Sequence, residues 1–425
     1  MVGEPRLRTL RRPAGHGRRS EVRSTVDWSD TQQQAAFRAE AHAFIRERLP
    51  AYYRGRSRTH GGEDDWQQDF ANGTPEAQAA AKQWSDTLAE RGWGAPQWSK
   101  EYGGAGLSAI EQYILAEEMA QLNAPVIGGA GVTHIGPTLL VHGTDEQRKR
   151  FMGPTLRGEI LWAQGFSEPG AGSDLASLQT RAVRNGDEYV INGQKLWTSA
   201  GHKANWIFGL FRTDPEAPKH RGITFMILDA RSPGVTVRPI VSMAFEHATN
   251  ETFYEDVRVP ADQVVGEVNR GWYVGMTLLD FERSGIAQAV MLRTNIDELV
   301  GHVRGDERAR SRPAFPRWEV ADRYIEANVL LNLSRRVASM QAAGLVPNYE
   351  ASMGKIFRSE LAQRIARTGT KAFGLYGGLW EGDEAPLDGE HTKDYCRAVV
   401  GTIAAGSNEI QRNIIAARGL GLPRG

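Results

Sequence analysis

Tyr189-Val190-Ile191-Asn192-Gly193-Gln194-Lys195-Leu196-Trp197-Thr198-Ser199-Ala200-Gly201 is the stretch whose reading decides the fold. Its first residues are aromatic and β-branched, which suits a pleated strand better than a helix. Asn192-Gly193 is a hairpin-type turn signal. It leads into a second strand on which Trp197 and Ser199 share one face. Core packing is the ordinary role of an aromatic in a strand. An aromatic plane beside a hydroxyl also suits a stacked heterocycle with hydrogen-bonding nitrogens. Neighbouring segments read the same way: Trp206-Ile207-Phe208, Ile223 to Leu228 and Val235-Thr236-Val237, with Pro215, Pro218, Pro233 and Pro260 punctuating the connections. Residues 161–268 are therefore expected to form a β-barrel or β-sandwich domain.

On both sides of this region the periodicity becomes helical. Residues 28–160 are expected to form an N-terminal helical domain. Ser29 to Gln32 reads as a capping box, and Phe37, Ala41, Phe44, Ile45 and Leu49 repeat on one helical face. Further helices are expected over 75–92, ended by Gly92, over 110–122 and over 144–152. Residues 269–425 are expected to form a helical bundle. Leu278, Leu279, Ile286, Ala289 and Val290 share one face, and long helices follow near 317–343, 348–374 and 390–418. The expected architecture is α–β–α, mainly helical with a β middle domain.

The 425 residues carry 51 basic and 51 acidic side chains, so no net charge draws the chain to nucleic acid or an anionic membrane. The single cysteine, Cys396, excludes an internal disulfide framework and a Cys-rich metal centre. It fits a reducing, cytoplasmic setting. No apolar run approaches the ~20 residues of a membrane span. Residues 1–27 differ in composition: Arg6, Arg8, Arg11, Arg12, Arg18, Arg19 and Arg23 are broken by Pro5, Pro13 and Gly15. They read as a disordered basic tail. His134 and His142 lack companions at ligand spacing and read as structural, so no metal site is expected.

Two more stretches carry chemistry. Phe166-Ser167-Glu168-Pro169-Gly170-Ala171-Gly172-Ser173-Asp174 is a loop that can lie close to a flat ring or a phosphate. Ala404-Ala405-Gly406-Ser407-Asn408-Glu409-Ile410-Gln411-Arg412 reads as a helix start, with Ser407 or Asn408 as N-cap.

With Phe253-Tyr254-Glu255-Asp256-Val257-Arg258-Val259-Pro260, these runs stand in the order found in the acyl-CoA dehydrogenases, and the chain resembles that family over residues 28 to 425. The resemblance implies FAD held by Phe166, Ser167, Trp197 and Ser199 around its ring system, and by Ser407 and Glu409 near the tail. Gly374 and Gly377 match part of the loop that receives the nucleotide of a neighbouring subunit. Ser173 matches a serine on the pantetheine side of the substrate.

The family's commonest catalytic base is a tail Glu, and here Ala405 occupies its position. Glu282, in Asp280-Phe281-Glu282-Arg283, interrupts an apolar stripe and shares a helical face with Leu278 and Ile286. It resembles the base of the isovaleryl- and long-chain acyl-CoA dehydrogenases, where the tail residue is small. An edge Glu paired with an Arg is the ordinary alternative. The resemblance then implies that Glu282 takes the α proton and that the Ala405 backbone N–H holds the thioester oxygen; Arg283 is expected to be structural or to orient the substrate. Hydride passes to flavin N5, and the product is a trans-2-enoyl-CoA. An electron-transferring flavoprotein is the implied acceptor, and a homotetramer or a hetero-oligomer with a related chain the implied assembly. An Arg-x-x-Phe-Gly stretch usual in the family finds no match near Arg304 to Arg310, and Lys371 stands where Gln is usual. Two alternatives follow: a non-catalytic or partner-dependent subunit, and an oxygen-using flavoenzyme on the same fold.

Overall fold

The computed structural model describes residues 29–54, 63–280, 285–311 and 316–423, without the side chains of 63–65, 279, 280, 308 and 309. The N-terminal helices are α1 (Gln32–Arg48), α2 (Glu63–Asn72), α3 (Pro75–Ala89), α4 (Ala109–Gln121), α5 (Gly136–His142) and α6 (Asp145–Leu156). The starts of α1, α3, α4 and α6 follow capping chemistry. Thr31 with Gln34, Ser108 with Glu111 and Thr144 with Gln147 form reciprocal boxes, and Thr74 caps α3 ahead of Pro75. The first helix thus begins at Thr31, not at Ser29: the Thr31 hydroxyl accepts from the Gln34 N–H, and the Gln34 side chain reaches back to the Thr31 N–H. Buried Trp66, Trp84, Leu88 and Ile45 fill the core between these helices.

Seven strands follow: β1 (Trp162–Gly165), β2 (Arg181–Asn185), β3 (Glu188–Lys195), β4 (Trp206–Arg212), β5 (Ile223–Asp229), β6 (Val235–Val241) and β7 (His247–Pro260). They form one curled sheet in the order β1-β4-β2-β3-β7-β6, with β5 also on β4. The sheet forks at β4, whose end meets β2 at the single pair Arg181–Arg212. The Arg212 guanidinium fills the fork, donating to the carbonyls of Ala176, Leu178 and Arg221. β4 and β5 are apolar on both faces because each face meets a different core. Phe208, Leu210, Phe225 and Ile227 join Phe166, Val274 and Leu278, whereas Ile207, Phe211, Met226 and Leu228 join Tyr254 and Val257. Each such buried side chain stabilises the fold by roughly 1.5–3 kcal/mol.

Asn192-Gly193 makes no hairpin. β3 runs through it with a bulge between Ile191 and Gly193, and the turn lies earlier, at Gly186 (φ +62°) between β2 and β3. Gly193 takes φ +143°, and a Cβ there would lie 2.8 Å from Thr180, so the bulge needs glycine. The Asn192 side chain spans the bulge, accepting from the Asp256 N–H and donating to its carboxylate, both at 2.9 Å.

The C-terminal helices are α7 (Gly271–Asp280), α8 (Ile286–Gly305), α9 (Glu307–Arg310), α10 (Arg317–Ala342), α11 (Tyr349–Phe373), α12 (Glu390–Arg397) and α13 (Asn408–Ile414). Gly285 precedes α8 at φ +60°. Leu278 and Ile286 therefore lie on two helices, not on one continuous face; Glu282 and Arg283 fall outside the described residues. The helix expected over 390–418 is also interrupted: α12 ends at Arg397, and Ala405 (φ +52°) and Gly406 (φ +79°) break the path before α13.

Polar ties join the regions. Gln147 Nε2 donates to the carbonyls of Asp262 and Val264, His142 Nε2 meets Thr277 Oγ1 at 3.0 Å, and Arg335 meets the Tyr113 hydroxyl at 3.1 Å. Arg397 Nε donates to Glu246 at 2.8 Å, linking the β6–β7 turn to α12. Among the described residues no helix is long and apolar enough to cross a membrane.

Candidate active site

The loop after β1 is fixed by a buried charge pair. Lys195, at the end of β3, is fully buried, and its Nζ donates to Glu168 Oε1 at 2.7 Å and to the Phe166 carbonyl at 3.2 Å. Glu168 also accepts from the backbone N–H groups of Gln179 and Thr180, at 2.7 and 2.9 Å. Burial pushes the Glu168 carboxyl up, but the Lys195 charge and these donors outweigh it and hold it below its ordinary value. Burial likewise drives the Lys195 ammonium down, to about 8, against the pull of Glu168. The pair therefore orders the loop at a cost in desolvation rather than as a large net source of stability.

The consequence is local geometry. Ser167 O accepts from the Leu196 N–H at 2.8 Å, and Glu168 and Ala171 exchange backbone hydrogen bonds. Phe166 packs edge-on to Phe208 and Phe225. Two of the three sequence stretches are thereby brought side by side, with Phe166 and Ser167 against the residues that run into Trp197. Ser173 is exposed in the same loop, and a Cβ at Gly170 or Gly172 would meet nothing within 4 Å.

β3 stops at Lys195, so Trp197 and Ser199 lie beyond the strand. Trp197 (φ +63°) and Ala200 (φ +55°) are left-handed, a conformation costing a non-glycine residue roughly 1–2 kcal/mol. Trp197 is 57% exposed, Ser199 is exposed, and Thr198 Oγ1 is buried with no hydrogen-bond partner. An exposed Trp and an exposed hydroxyl, next to an open glycine loop, fit a flat heteroaromatic group with polar edges.

The tail residues form a second group. Ser407 caps α13, accepting from the Ile410 N–H, and Glu409 is exposed. Its carboxyl lies below the ordinary range through its own backbone N–H and Ser407. Ala405 is exposed, and Gln411 Nε2 donates to the carbonyls of Ala405 and Gly406 at 3.2 and 3.3 Å. Asn408 is buried and anchors the turn, accepting from Lys355 and Ser359 at 2.9 and 3.1 Å. Gly374 (φ +57°) ends α11, and Gly377 packs so closely that a Cβ would lie 2.3 Å from the Thr370 carbonyl. Among the described residues no hydrogen bond or ion pair joins this group to the Phe166–Ser199 group. Ala405→Gly should relieve the left-handed strain, raising stability by up to about 1 kcal/mol after the loss to unfolded-chain entropy; thermal unfolding measures it.

Sequence reasoning assigned no role to the Lys195–Glu168 pair, to Gln411 or to the Asn250 contacts taken up below. Lys195 and Glu168 each stand inside a chemical motif, which was the available signal; their burial was not visible.

Family models match the chain in order: acyl-CoA dehydrogenase N-terminal domain over residues 31–159, middle domain over 163–257 and C-terminal domain over 269–420. The acyl-CoA dehydrogenase FadE29 of Mycobacterium tuberculosis is 38% identical over 339 residues, 77% of this chain and 84% of that protein. FadE34 of the same organism is 38% identical over 345 residues, 79% of this chain; the match spans 46% of FadE34's length. Among solved structures, the Tcur3481-Tcur3483 steroid ACAD superposes with a TM-score of 0.80 at 32% identity, covering 94% of this chain and 100% of that one. The ChsE4-ChsE5 complex from Mycobacterium tuberculosis does so at 0.78 and 32%, with the same coverage. This chain belongs to the acyl-CoA dehydrogenase family. It is thus an oxidoreductase of a flavoprotein family.

Proposed function

We propose that the protein uses FAD to dehydrogenate an acyl-CoA thioester between its α and β carbons, giving the trans-2-enoyl-CoA. The observation that carries this reading is the tie of Ser167 to Leu196, which sets the two motifs expected around the flavin ring side by side. FAD, when bound, supplies the two-electron acceptor. Phe166, Ser167, Trp197 and Ser199 would hold its ring system, with Ser407 and Glu409 contacting it from the tail, and Gly374 and Gly377 would receive the nucleotide of a neighbouring subunit's FAD. Glu282 takes the α proton. The Ala405 N–H donates to the thioester oxygen as negative charge gathers there, and such donors are typically worth ~3 kcal/mol each. That position needs only a backbone N–H, so Ala serves there as well as Glu. Ser173 and Arg283 orient the substrate. The reading includes domains over 28–160, 161–268 and 269–425, a cytoplasmic location, and an electron-transferring flavoprotein as acceptor.

Ala404 and Ala405 are small and exposed and leave room for a wide acyl group. With the steroid ACAD among the similar structures, this favours steroid-derived or branched acyl-CoA. The test is anaerobic: thioesters of straight, branched and steroid acids are added to the purified protein while flavin absorbance is followed. Bleaching by the bulky thioesters is expected; bleaching only by short straight chains would sink the substrate assignment.

A specific observation favours a hetero-oligomer with a related chain. Lys371, where the family usually has Gln, is tied to Glu319 at 2.9 Å, and Leu375 in the Gly374–Gly378 turn is 92% exposed. The nucleotide end of FAD would then be completed by a different subunit. Native mass spectrometry checks this. Tighter FAD retention after co-expression with a related chain is the expected result, and equal retention by a homo-oligomer of this chain alone would contradict it.

A further inference from the structure

We propose that Asn250 is a positioning residue that fixes the Trp197–Ser199 segment in the conformation that receives the flavin, working with the stacked pair His202 and His247. The inference rests on the flavin reading of that segment given above. Trp197 and Ala200 both hold left-handed backbone conformations, and such residues persist only where their surroundings over-determine them. Asn250, on β7 and fully buried, supplies most of that determination. Its backbone carbonyl accepts from the Thr198 N–H at 2.9 Å, and its Nδ2 donates to the Thr198 carbonyl at 2.9 Å. Thr198 is thus gripped at both its peptide groups by one residue. Ala200 is tied to the same strand through its N–H on the Ala248 carbonyl at 3.0 Å. With Thr198 and Ala200 turned to β7, Trp197 and Ser199 are left exposed.

The Asn250 side chain is itself fixed. Its Nδ2 lies 3.2 Å from His202 Nδ1, and its Oδ1 lies 2.7 Å from His247 Nε2. The two imidazoles stack with centroids 3.8 Å apart and planes at 26°. Burial, followed by the neighbouring His247, pushes His202 down to about 4. A neutral His202 can accept at Nδ1 while His247 donates at Nε2, so all three polar atoms around the amide are used consistently. β3 has already ended at Lys195, and the turn bonds of Gly201 N–H to the Thr198 carbonyl and Lys203 N–H to the Ala200 carbonyl lie within the segment, so Asn250 and Ala248 are what tie it to the sheet.

Asn250→Asp tests the tie without changing the side chain's size. The acceptor toward His247 is kept, and the donor to the Thr198 carbonyl is lost. FAD affinity of the full chain, measured by reconstituting apoprotein, should fall about tenfold or more. The resolved shape of the bound flavin's visible band should broaden. His247→Phe, a surface change that keeps the ring stack but removes the bond to Asn250, should weaken FAD by a few fold. Asn192→Ala is the control: it loosens the β3–β7 pairing at the bulge and should leave affinity and spectrum unchanged. Wild-type and Asn250→Asp proteins that bind FAD equally, with one spectrum, would overturn the positioning role alone. Should Asn250→Asp fail to fold, unchanged binding by His247→Phe would overturn it as well. An equal loss in Asn192→Ala would reduce the effect to general destabilisation and also overturn it. Wild type that binds no FAD would overturn the flavin reading and this inference together.

Discussion

Glu282→Gln is expected to abolish reduction of the flavin by acyl-CoA while substrate and FAD still bind. The α proton of a thioester leaves only to a positioned base, and a carboxamide has no basic site near neutral pH. General-base catalysis contributes roughly 10²–10⁴-fold, and with no tail carboxylate at Ala405 to substitute, the loss should lie at the upper end. Gln keeps the size of Glu, so affinity for the thioester should change little, and the defect should fall on the rate of bleaching. Glu282 stands between the end of α7 at Asp280 and Gly285 ahead of α8. Anaerobic stopped-flow of wild type and variant side by side makes the measurement. A rate in Glu282→Gln within a few fold of wild type would move the base elsewhere.

Lys195→Met is expected to have the largest structural effect. It leaves the Glu168 carboxylate, only 8% exposed, without its cation. Removing one partner of a buried pair typically costs about 3–5 kcal/mol. The Phe166 carbonyl loses its donor at the same time, so the loop should lose FAD as well as stability. The double variant Glu168→Gln/Lys195→Met should recover much of the stability, because no unpaired charge is left behind.

Glu168 also makes the stability of the fold depend on acid pH. Glu168 is held below its ordinary value, so its contribution is fully present above the unfolded-chain value of about 4.3. As pH falls below that value, the unfolded chain takes up the proton first, and the contribution is lost as pH passes through the folded value. The melting temperature of wild type should therefore fall more steeply with acid in that window than that of the double variant. Parallel curves would remove Glu168 from the account.

The β middle domain was legible because β-branched and aromatic runs between prolines leave few alternatives. The tail helix start was legible from its capping side chains, with Ser407 and Asn408 left as alternatives, of which Ser407 is the cap. Asn192-Gly193 misled because the same pair suits a turn and a bulge; here it forms a bulge, with Thr180 so close to Gly193 that no side chain fits there. The last long helix was overread because apolar spacing continues through Val399, Val400 and Ile403, while Ala405 and Gly406 turn the backbone out of the helical region. The flavin-side motifs were legible as words in the sequence. What anchors them was not, because Lys195–Glu168 and Asn250–Thr198 are long-range contacts of buried polar groups, which hydropathy assigns to the surface.

The most direct test of the central claim is the mass of the product. The protein, supplied with FAD and an artificial electron acceptor, is incubated with a branched or steroid acyl-CoA, and the thioester is analysed by mass spectrometry. The account predicts a CoA thioester lighter by two hydrogens, formed by wild type and not by Glu282→Gln. A product that has gained oxygen, or unchanged thioester with FAD fully bound, would contradict it.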